Sequence, residues 1–181
     1  MTTYQFKGAG YGLPYSGNQE GLLTKRIDIP AMIAAKEQSG LALTSAPNVG
    51  VALPSTGFGS ADILEVFWVP KGTVIRWAGI YVITSEGATG TIGVGVTTSG
   101  QVPSYSATGF GATWDLDQAA GYRVTSLVGT DAAVAASATS GQNTWGTFIK
   151  DGSLDITFNT ASTDTAVFII WATYFWLGTL V

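Results

Sequence analysis

The sequence predicts an all-β protein: a jelly-roll-like β-sandwich with an extended N-terminal arm. Glycine and threonine each number 24 among the 181 residues, whereas lysine and glutamate together number only nine. Threonine and aromatic residues favour strands, glycine favours turns, and a helical protein of this size needs many more strong helix formers. The composition therefore disfavours a helix bundle, a coiled coil and a doubly wound nucleotide-binding fold.

The chain divides by charge into two parts, which we interpret as an arm in residues 1–60 and a β-sandwich domain in residues 61–181. The first part carries a net charge of +1 and four of the six prolines, and the second carries −5. Aromatic side chains in a flexible segment commonly anchor it to a partner, and the alternative is a tail that is disordered or folded back on its own domain. The candidate partner-binding residues of the arm are Tyr4, Phe6, Tyr11, Tyr15, Lys25 and Arg26.

Three segments follow one another in the second half of the arm. Residues 24–29 alternate charged and apolar side chains, which favours a strand. Pro30 then begins residues 31–38, which fit one or two helical turns. Residues 39–60 are uncharged and interrupted by glycine and proline, which predicts a loop.

The sandwich domain is predicted to consist of about eight strands separated by short turns. Pro70-Lys71-Gly72 and Asp151-Gly152 are the clearest turn signals. In the third strand Gly93 and Gly95 alternate with apolar residues, which leaves one face bare enough for another backbone or ring to approach closely. Residues 131–140 fit either a helical turn or a loop. The predicted strands are residues 62–69, 73–84, 89–98, 113–117, 122–128, 145–150, 154–159 and 165–177.

The last predicted strand is apolar on both faces, although a sandwich strand usually buries only one. The second face needs a cover from the arm or from a neighbouring subunit, and a bare hydrophobic edge would aggregate. The sequence therefore predicts oligomerisation. The candidate interface residues are Trp171, Tyr174, Phe175, Trp176 and Leu177.

The composition also argues against several function classes. There is no cysteine and no histidine, which removes the thiolate and imidazole ligands and the usual base of a serine hydrolase. The net charge is −4 without a basic cluster, so no nucleic-acid partner is predicted. The apolar C-terminal stretch of residues 166–181 is shorter than the about 20 residues of a membrane-spanning helix, so no membrane partner is predicted either.

Carboxylates are the only plausible catalytic groups, and we predict neither an enzyme nor a cofactor. Asp115 and Asp117 point to one face if both lie on a strand, and Glu65, Glu86 and Asp155 are further candidates. Two carboxylates at a suitable separation hydrolyse glycosides, and with backbone oxygens they bind Ca²⁺. The simpler interpretation is that these carboxylates are solvated at turns and strand edges. If a Ca²⁺ site exists, its candidate residues are Asp115 and Asp117.

The six tryptophans have two possible roles. Large aromatic side chains most often pack in cores and interfaces, but an aromatic platform with acids nearby also binds sugars. The best sugar-site candidate is Trp114, with Tyr105 and Tyr122 near it in the sequence.

Two long segments, residues 62–96 and 151–177, resemble small virion proteins of tailed bacteriophages that are called decoration, cement or head proteins. The shared pieces occur in one order: D-x-x-E-V, V-P-x-G-T, A-G-I and E-G-x-T, then L-D-I-T-F-N, D-T-A-V and an apolar W-A strand. The resemblance covers about two-thirds of the chain; residues 97–150 and the Tyr/Gly-rich start depart from it. It implies a jelly-roll subunit, usually a homotrimer, bound to the major capsid protein on the outer surface of the virion.

The resulting hypothesis is a structural virion protein, a decoration subunit that stabilises the phage head. The alternative is a host-surface adhesion module, such as a carbohydrate-binding knob or fibre head. A secreted jelly-roll hydrolase is a third hypothesis, and it requires a catalytic pocket that no motif indicates.

Overall fold

The protein is an all-β sandwich, as predicted, with a single helix among the residues described. The computed structural model describes residues 3–5, 20–39, 43–45, 49–51, 56–87, 89–97, 107–127, 148–160 and 163–176. The elements are β1 (Thr3–Gln5), β2 (Glu20–Asp28), α1 (Ile29–Ser39), β3 (Leu43–Ser45), β4 (Val49–Val51), β5 (Ile63–Val69), β6 (Thr73–Thr84), β7 (Thr91–Gly95), β8 (Gly111–Asp115), β9 (Arg123–Leu127), β10 (Gly152–Phe158) and β11 (Val167–Trp176).

The strands form two sheets that pack face to face over one hydrophobic core. The larger sheet has the order β4-β3-β1-β5-β10-β7-β8, and the smaller has the order β2-β11-β6-β9. Within them the strands pair in a nested way: β2 with β11, β5 with β10, β6 with β9 and β7 with β8. This nesting folds one long antiparallel ribbon into two layers, so the topology is jelly-roll-like.

Strand β2 corrects the predicted boundary between arm and sandwich, because it is an integral strand of the smaller sheet. All nine of its residues pair with β11, from Glu20 opposite Phe175 to Asp28 opposite Val167. Leu23 and Ile27 are buried in the core. β1 also adds to the larger sheet, parallel to β5. The sequence predicts only residues 24–29 of this region as a strand and does not predict β1, because apolar residues are sparse in this part of the chain.

The helix α1 forms where the sequence predicts helical turns. Asp28 caps it, since its Oδ1 accepts a hydrogen bond from the backbone N–H of Ala31 at 3.1 Å. Pro30 occupies the first turn, where a missing N–H costs nothing. Ile29 and Met32 pack into the core, which attaches the helix to the sandwich.

The core is built largely from phenylalanine and aliphatic side chains of both sheets. Phe58 and Phe158 stack with ring centroids 4.1 Å apart and an interplanar angle of 5°. Phe58 also exchanges two backbone hydrogen bonds with Thr163, at 2.9 and 3.0 Å. The preceding Gly57 has φ of 73°, and a β-carbon there would lie 2.0 Å from the Thr163 carbonyl oxygen, so only glycine fits.

The predicted bare face of β7 is confirmed at Gly93. A β-carbon added there would lie 2.9 Å from Thr108 Cγ2 and 3.4 Å from the Ala107 carbonyl oxygen. The segment before β8 therefore lies directly over β7, and the missing side chain is what allows this approach.

Three other predictions need correction or lie outside the described residues. Residues 39–60 are not all loop, since β3 and β4 pair as a short hairpin at the edge of the larger sheet. Residues 148–150 are not in a strand, because the backbone of Phe148 instead bonds to Gly72 and Thr73 at the β5–β6 turn. Residues 131–140 lie outside the described residues.

Candidate functional site

The outer face of the smaller sheet carries most of the aromatic side chains that point away from the core. Along β11, Phe168, Ile170, Ala172 and Tyr174 are buried, and the residues between them are partly exposed. This alternation confirms the two faces predicted for the last strand. Antiparallel partners point to the same side of a sheet, so the strand register defines which residues share the outer face.

Three rows of four positions cross the smaller sheet on this outer side. The first row is Arg26, Ile169, Tyr81 and Arg123; the second is Thr24, Trp171, Gly79 and Thr125; the third is Leu22, Thr173, Trp77 and Leu127. We call these three rows the aromatic face. Leu22 is 61% exposed and Trp77 is 38% exposed, which is high for apolar side chains of this size.

A shallow depression lies in the aromatic face, between the first row and Trp171 of the second row. The depression has a volume of about 370 Å³ and is lined by Ile80, Tyr81, Arg123, Ile169 and Trp171. At its rim the Arg123 guanidinium lies over the Tyr81 ring, 5.1 Å from the ring centroid. A cation in this position keeps its hydrogen-bond donors directed outward while its carbon chain covers the ring.

The five predicted interface residues do not act as one surface. Tyr174 points inward and is 5% exposed, with its ring against Gly21. Trp176 is held by its own chain, since its Nε1–H donates to the Lys71 carbonyl at 3.2 Å. Trp171 and Phe175 point outward and are partly exposed, and Leu177 lies outside the described residues.

The predicted arm residues are also separated. Lys25 points into the side of the sandwich, where its Nζ donates to the Val66 carbonyl of the opposite sheet at 3.3 Å, and burial lowers its pKa. This position corrects its assignment as a partner-binding residue. Arg26 is on the outer face and forms an ion pair with Asp28 at 2.8 Å. Tyr4 belongs to β1, and Phe6, Tyr11 and Tyr15 lie outside the described residues.

Asp115 and Asp117 form a turn rather than a shared carboxylate face. β8 ends at Asp115, whose Oδ1 accepts a bond from the Asp117 N–H at 2.9 Å and whose Oδ2 accepts one from Gln118 Nε2 at 2.6 Å. Both oxygens of Asp115 thus stabilise the β8–β9 turn, which contradicts the predicted geometry for Ca²⁺. Among the described residues, no three acidic side chains gather in a way that would hold a metal ion.

Glu86 is a buried structural carboxylate. It lies in the β6–β7 turn and accepts backbone N–H bonds from Asp164 at 2.8 Å, Thr165 at 3.2 Å and Ala166 at 2.8 Å. Three amides that converge on one carboxylate join this turn to the start of β11. The side chain is therefore an internal cap.

Asp155 is a fully buried carboxylate in the middle of the larger sheet. Its Oδ2 accepts bonds from the backbone N–H and the hydroxyl of Thr97, while Oδ1 has no hydrogen-bond partner in the described part of the chain. Glu65 is its direct partner on β5. Burial raises the pKa of Asp155, and hydrogen bonds from the side chains of Thr97 and Ser153 and from the Thr97 backbone oppose the shift.

The predicted sugar site is not formed. Trp114 is 5% exposed and belongs to the core, and its indole lies so close to Gly111 that a β-carbon there would be 2.1 Å from Nε1. Tyr122 packs against the same core, and Tyr105 lies outside the described residues. A buried ring offers no platform for a sugar, so this prediction is wrong for Trp114.

The sequence reasoning missed Leu22, Trp77, Gly79, Tyr81 and Arg123 as members of one surface. Each lies in a predicted strand or in the arm, but their proximity depends on which strands are neighbours and in which register. A glycine between aromatic residues in β6 was the one available signal.

In the described part of the chain, no helix is both long and apolar enough to cross a membrane.

Comparison with solved structures identifies the same fold in a chain of a phage capsid structure. The sequence matches no family model and no curated protein. A chain in the structure described as "Capsid of Ralstonia phage GP4" is 13% identical, with a TM-score of 0.51, and the match covers 96% of this chain and 97% of that one. The two share a fold over nearly their full lengths.

Two further matches are more distant. A chain of the "Acidic stable capsid structure of Helicobacter pylori bacteriophage KHP30" has a TM-score of 0.46 at 10% identity, covering 90% of this chain and 92% of that chain. A chain of the "Cyanophage Pam1 capsid asymmetric unit" has a TM-score of 0.42 at 14% identity, with 94% and 93% covered.

Proposed function

We propose that this protein is a structural virion protein, a decoration subunit that binds the outer surface of a phage head and stabilises the shell. The observation that carries the proposal is the shared fold with a chain of the Ralstonia phage GP4 capsid over 96% of this chain and 97% of that one. The sequence resemblance of residues 62–96 and 151–177 to phage decoration proteins supports the same role.

The mechanism is passive. Each subunit contributes a modest contact with the major capsid protein, and several linked subunits, a homotrimer by the resemblance, bind together with much higher avidity than one alone. The residues between β1 and β2, which include Phe6, Tyr11 and Tyr15, provide an additional aromatic contact with the shell. A rigid sandwich bound across neighbouring shell subunits resists their separation.

A catalytic role has little support from the carboxylates. Glu86 and Asp115 use their oxygens in bonds to their own chain, and Asp155 is fully buried. The adhesion hypothesis depended on Trp114, whose burial removes its platform. We therefore propose no enzyme and no sugar-binding module.

The proposal is tested by adding the purified full-length protein to heads of the source phage that lack it. We expect the protein to co-sediment with the heads in saturable amounts and to raise the temperature at which they release DNA. A variant in which Phe6, Tyr11 and Tyr15 are replaced by alanine retains β1 and β2, so it should fold and bind more weakly. Heads that neither bind the protein nor gain heat stability would contradict the proposal.

A further inference from the structure

The aromatic face holds two of the exposed large apolar side chains of the described residues, Leu22 and Trp77, and its composition indicates what covers it. Leu22, Trp77 and Trp171 expose apolar area that a subunit in water alone would gain by burying. The first row places an arginine at each edge of the sheet, Arg26 on β2 and Arg123 on β9, with Ile169 and Tyr81 between them. The surface is thus apolar in its middle and cationic along one side.

The two arginines differ in how their charge is used. Arg26 forms an ion pair with Asp28 at 2.8 Å, so much of its charge is balanced within the chain. Arg123 lies over the Tyr81 ring at the rim of the depression. A guanidinium on an aromatic ring is held in position and presents a planar set of donors, which matches a carboxylate.

The depression beside Arg123 accepts an apolar side chain. Its volume of about 370 Å³ and its Trp171, Ile169 and Tyr81 walls are suited to a branched aliphatic or aromatic group. A partner that places such a group in the depression and a carboxylate at Arg123 would satisfy both features. Buried aromatic and arginine contacts of this kind typically carry most of the energy of an interface.

A second copy of the same face meets this requirement poorly. None of the positions in the three rows is an aspartate or a glutamate, and the adjoining rows add only Asp28, which already pairs with Arg26, and Glu20, which lies at the opposite edge of the sheet from Arg123. Two copies packed through their aromatic faces would therefore offer Arg123 few free carboxylates as it lost water, and burying an unpaired charge is costly. The charge pattern therefore favours a partner of different and acidic composition.

We propose that the aromatic face docks an acidic segment of the phage shell protein, with an apolar side chain of that segment in the depression and a carboxylate at Arg123. This inference rests on the proposed function, because it takes the shell as the partner. It assigns the contact to the smaller sheet, and it reassigns Trp171 from a contact between copies to a contact with the shell.

Three variants of the aromatic face and two matched controls test the proposal in the head-binding assay. Arg123→Glu reverses the charge at the rim, and Trp171→Ala removes one wall of the depression. Lys150→Glu reverses an exposed charge elsewhere, and Trp68→Ala truncates a tryptophan that is 54% exposed on the larger sheet. Arg123→Lys keeps the charge but loses the planar donors. The thermal unfolding midpoint of each free variant shows whether it is folded.

We expect Arg123→Glu and Trp171→Ala to bind heads at least about tenfold more weakly than the wild type, with Arg123→Lys intermediate and both controls within about twofold. Raising NaCl from about 0.05 to about 0.5 M should weaken wild-type binding more than that of Arg123→Glu. The sedimentation of the free protein should not change in either face variant.

Other results overturn the inference. If the wild type binds heads and both face variants bind equally well, the docking face is wrong while the proposed function stands. If the face variants dissociate an assembly of free subunits but bind heads normally, the face joins copies of this chain. If the wild type does not bind heads, the proposed function and this inference fail together.

Discussion

At the scale of single residues, the two buried carboxylates Glu86 and Asp155 are in opposite situations. Glu86 is surrounded by backbone N–H groups of Asp164, Thr165 and Ala166, which stabilise its charge. Asp155 has one oxygen without a partner in the described part of the chain and a carboxylate neighbour, Glu65, across the strand pair. Sequence alone presented both as equivalent candidates, because the difference lies in what packs around them.

Glu86→Gln tests the internal cap. The amide replaces one acceptor oxygen with an NH₂ group, which cannot accept hydrogen bonds from the backbone N–H groups that precede β11. A buried N–H group that loses its acceptor costs about 1–3 kcal/mol. We expect the free energy of unfolding, measured by urea denaturation, to fall by that amount. Asp117→Asn, on the exposed β8–β9 turn, is the control and should change it little. Equal effects of the two variants would contradict the capping role.

Asp155 predicts a dependence of stability on pH. Burial raises its pKa in the folded protein, so the folded state holds the proton more tightly than the unfolded chain does. Its contribution to stability is therefore present at low pH and is lost as pH rises from the ordinary aspartate pKa of about 4 to the raised value. Asp155→Asn removes this loss.

Urea denaturation from about pH 3 to about pH 7 measures this effect. Relative to the wild type, Asp155→Asn should become progressively more stable as pH rises through that window. The two proteins share Glu65, Thr97 and Ser153, so the difference between them reports on Asp155. A difference in the free energy of unfolding that stays constant across the series would show that Asp155 does not titrate as the structure indicates.

At the scale of elements, the strands with strong alternation are predictable and the rest are not. β6 is predicted at residues 73–84 and occurs at Thr73–Thr84, and β5 differs by one residue at its start. β2 was predicted only in part, because its partner β11 is distant in sequence. The short β3–β4 hairpin was missed because it lies in a segment that glycine and proline interrupt. The aromatic face was not predictable either, since it follows from strand order and register.

Matched aromatic truncations test this element-scale account of the core. Phe58→Ala removes one ring of the stacked Phe58–Phe158 pair, whose Phe58 side chain is fully buried. A buried Phe→Ala change costs about 3–5 kcal/mol. Trp68→Ala removes a larger ring that is 54% exposed and should cost about 1 kcal/mol or less. The thermal unfolding midpoints of the two variants compare them directly, and similar losses would contradict the assigned core.

At the scale of the whole molecule, the composition of the jelly-roll-like sandwich fits the proposed structural role. Charged residues make up only 11% of the chain and hydrophobic ones 46%, which is typical of a subunit whose surface is largely covered by other protein. The fold class could be predicted from composition and alternation. The proposed partner surface could not be predicted in the same way. Trp114, the most prominent candidate in the sequence, lies in the core, and Gly79 and Arg123 come together only through strand pairing.

The copy number of this chain in the virion tests the proposed decoration role. Quantitative mass spectrometry of purified particles from the source measures the ratio of this chain to the major shell protein. We expect a ratio of order one, because a decoration subunit covers the whole head by repeated contacts. Absence from the particles would contradict this role, and a ratio of a few per hundred would move the protein from the head surface to a vertex or the tail.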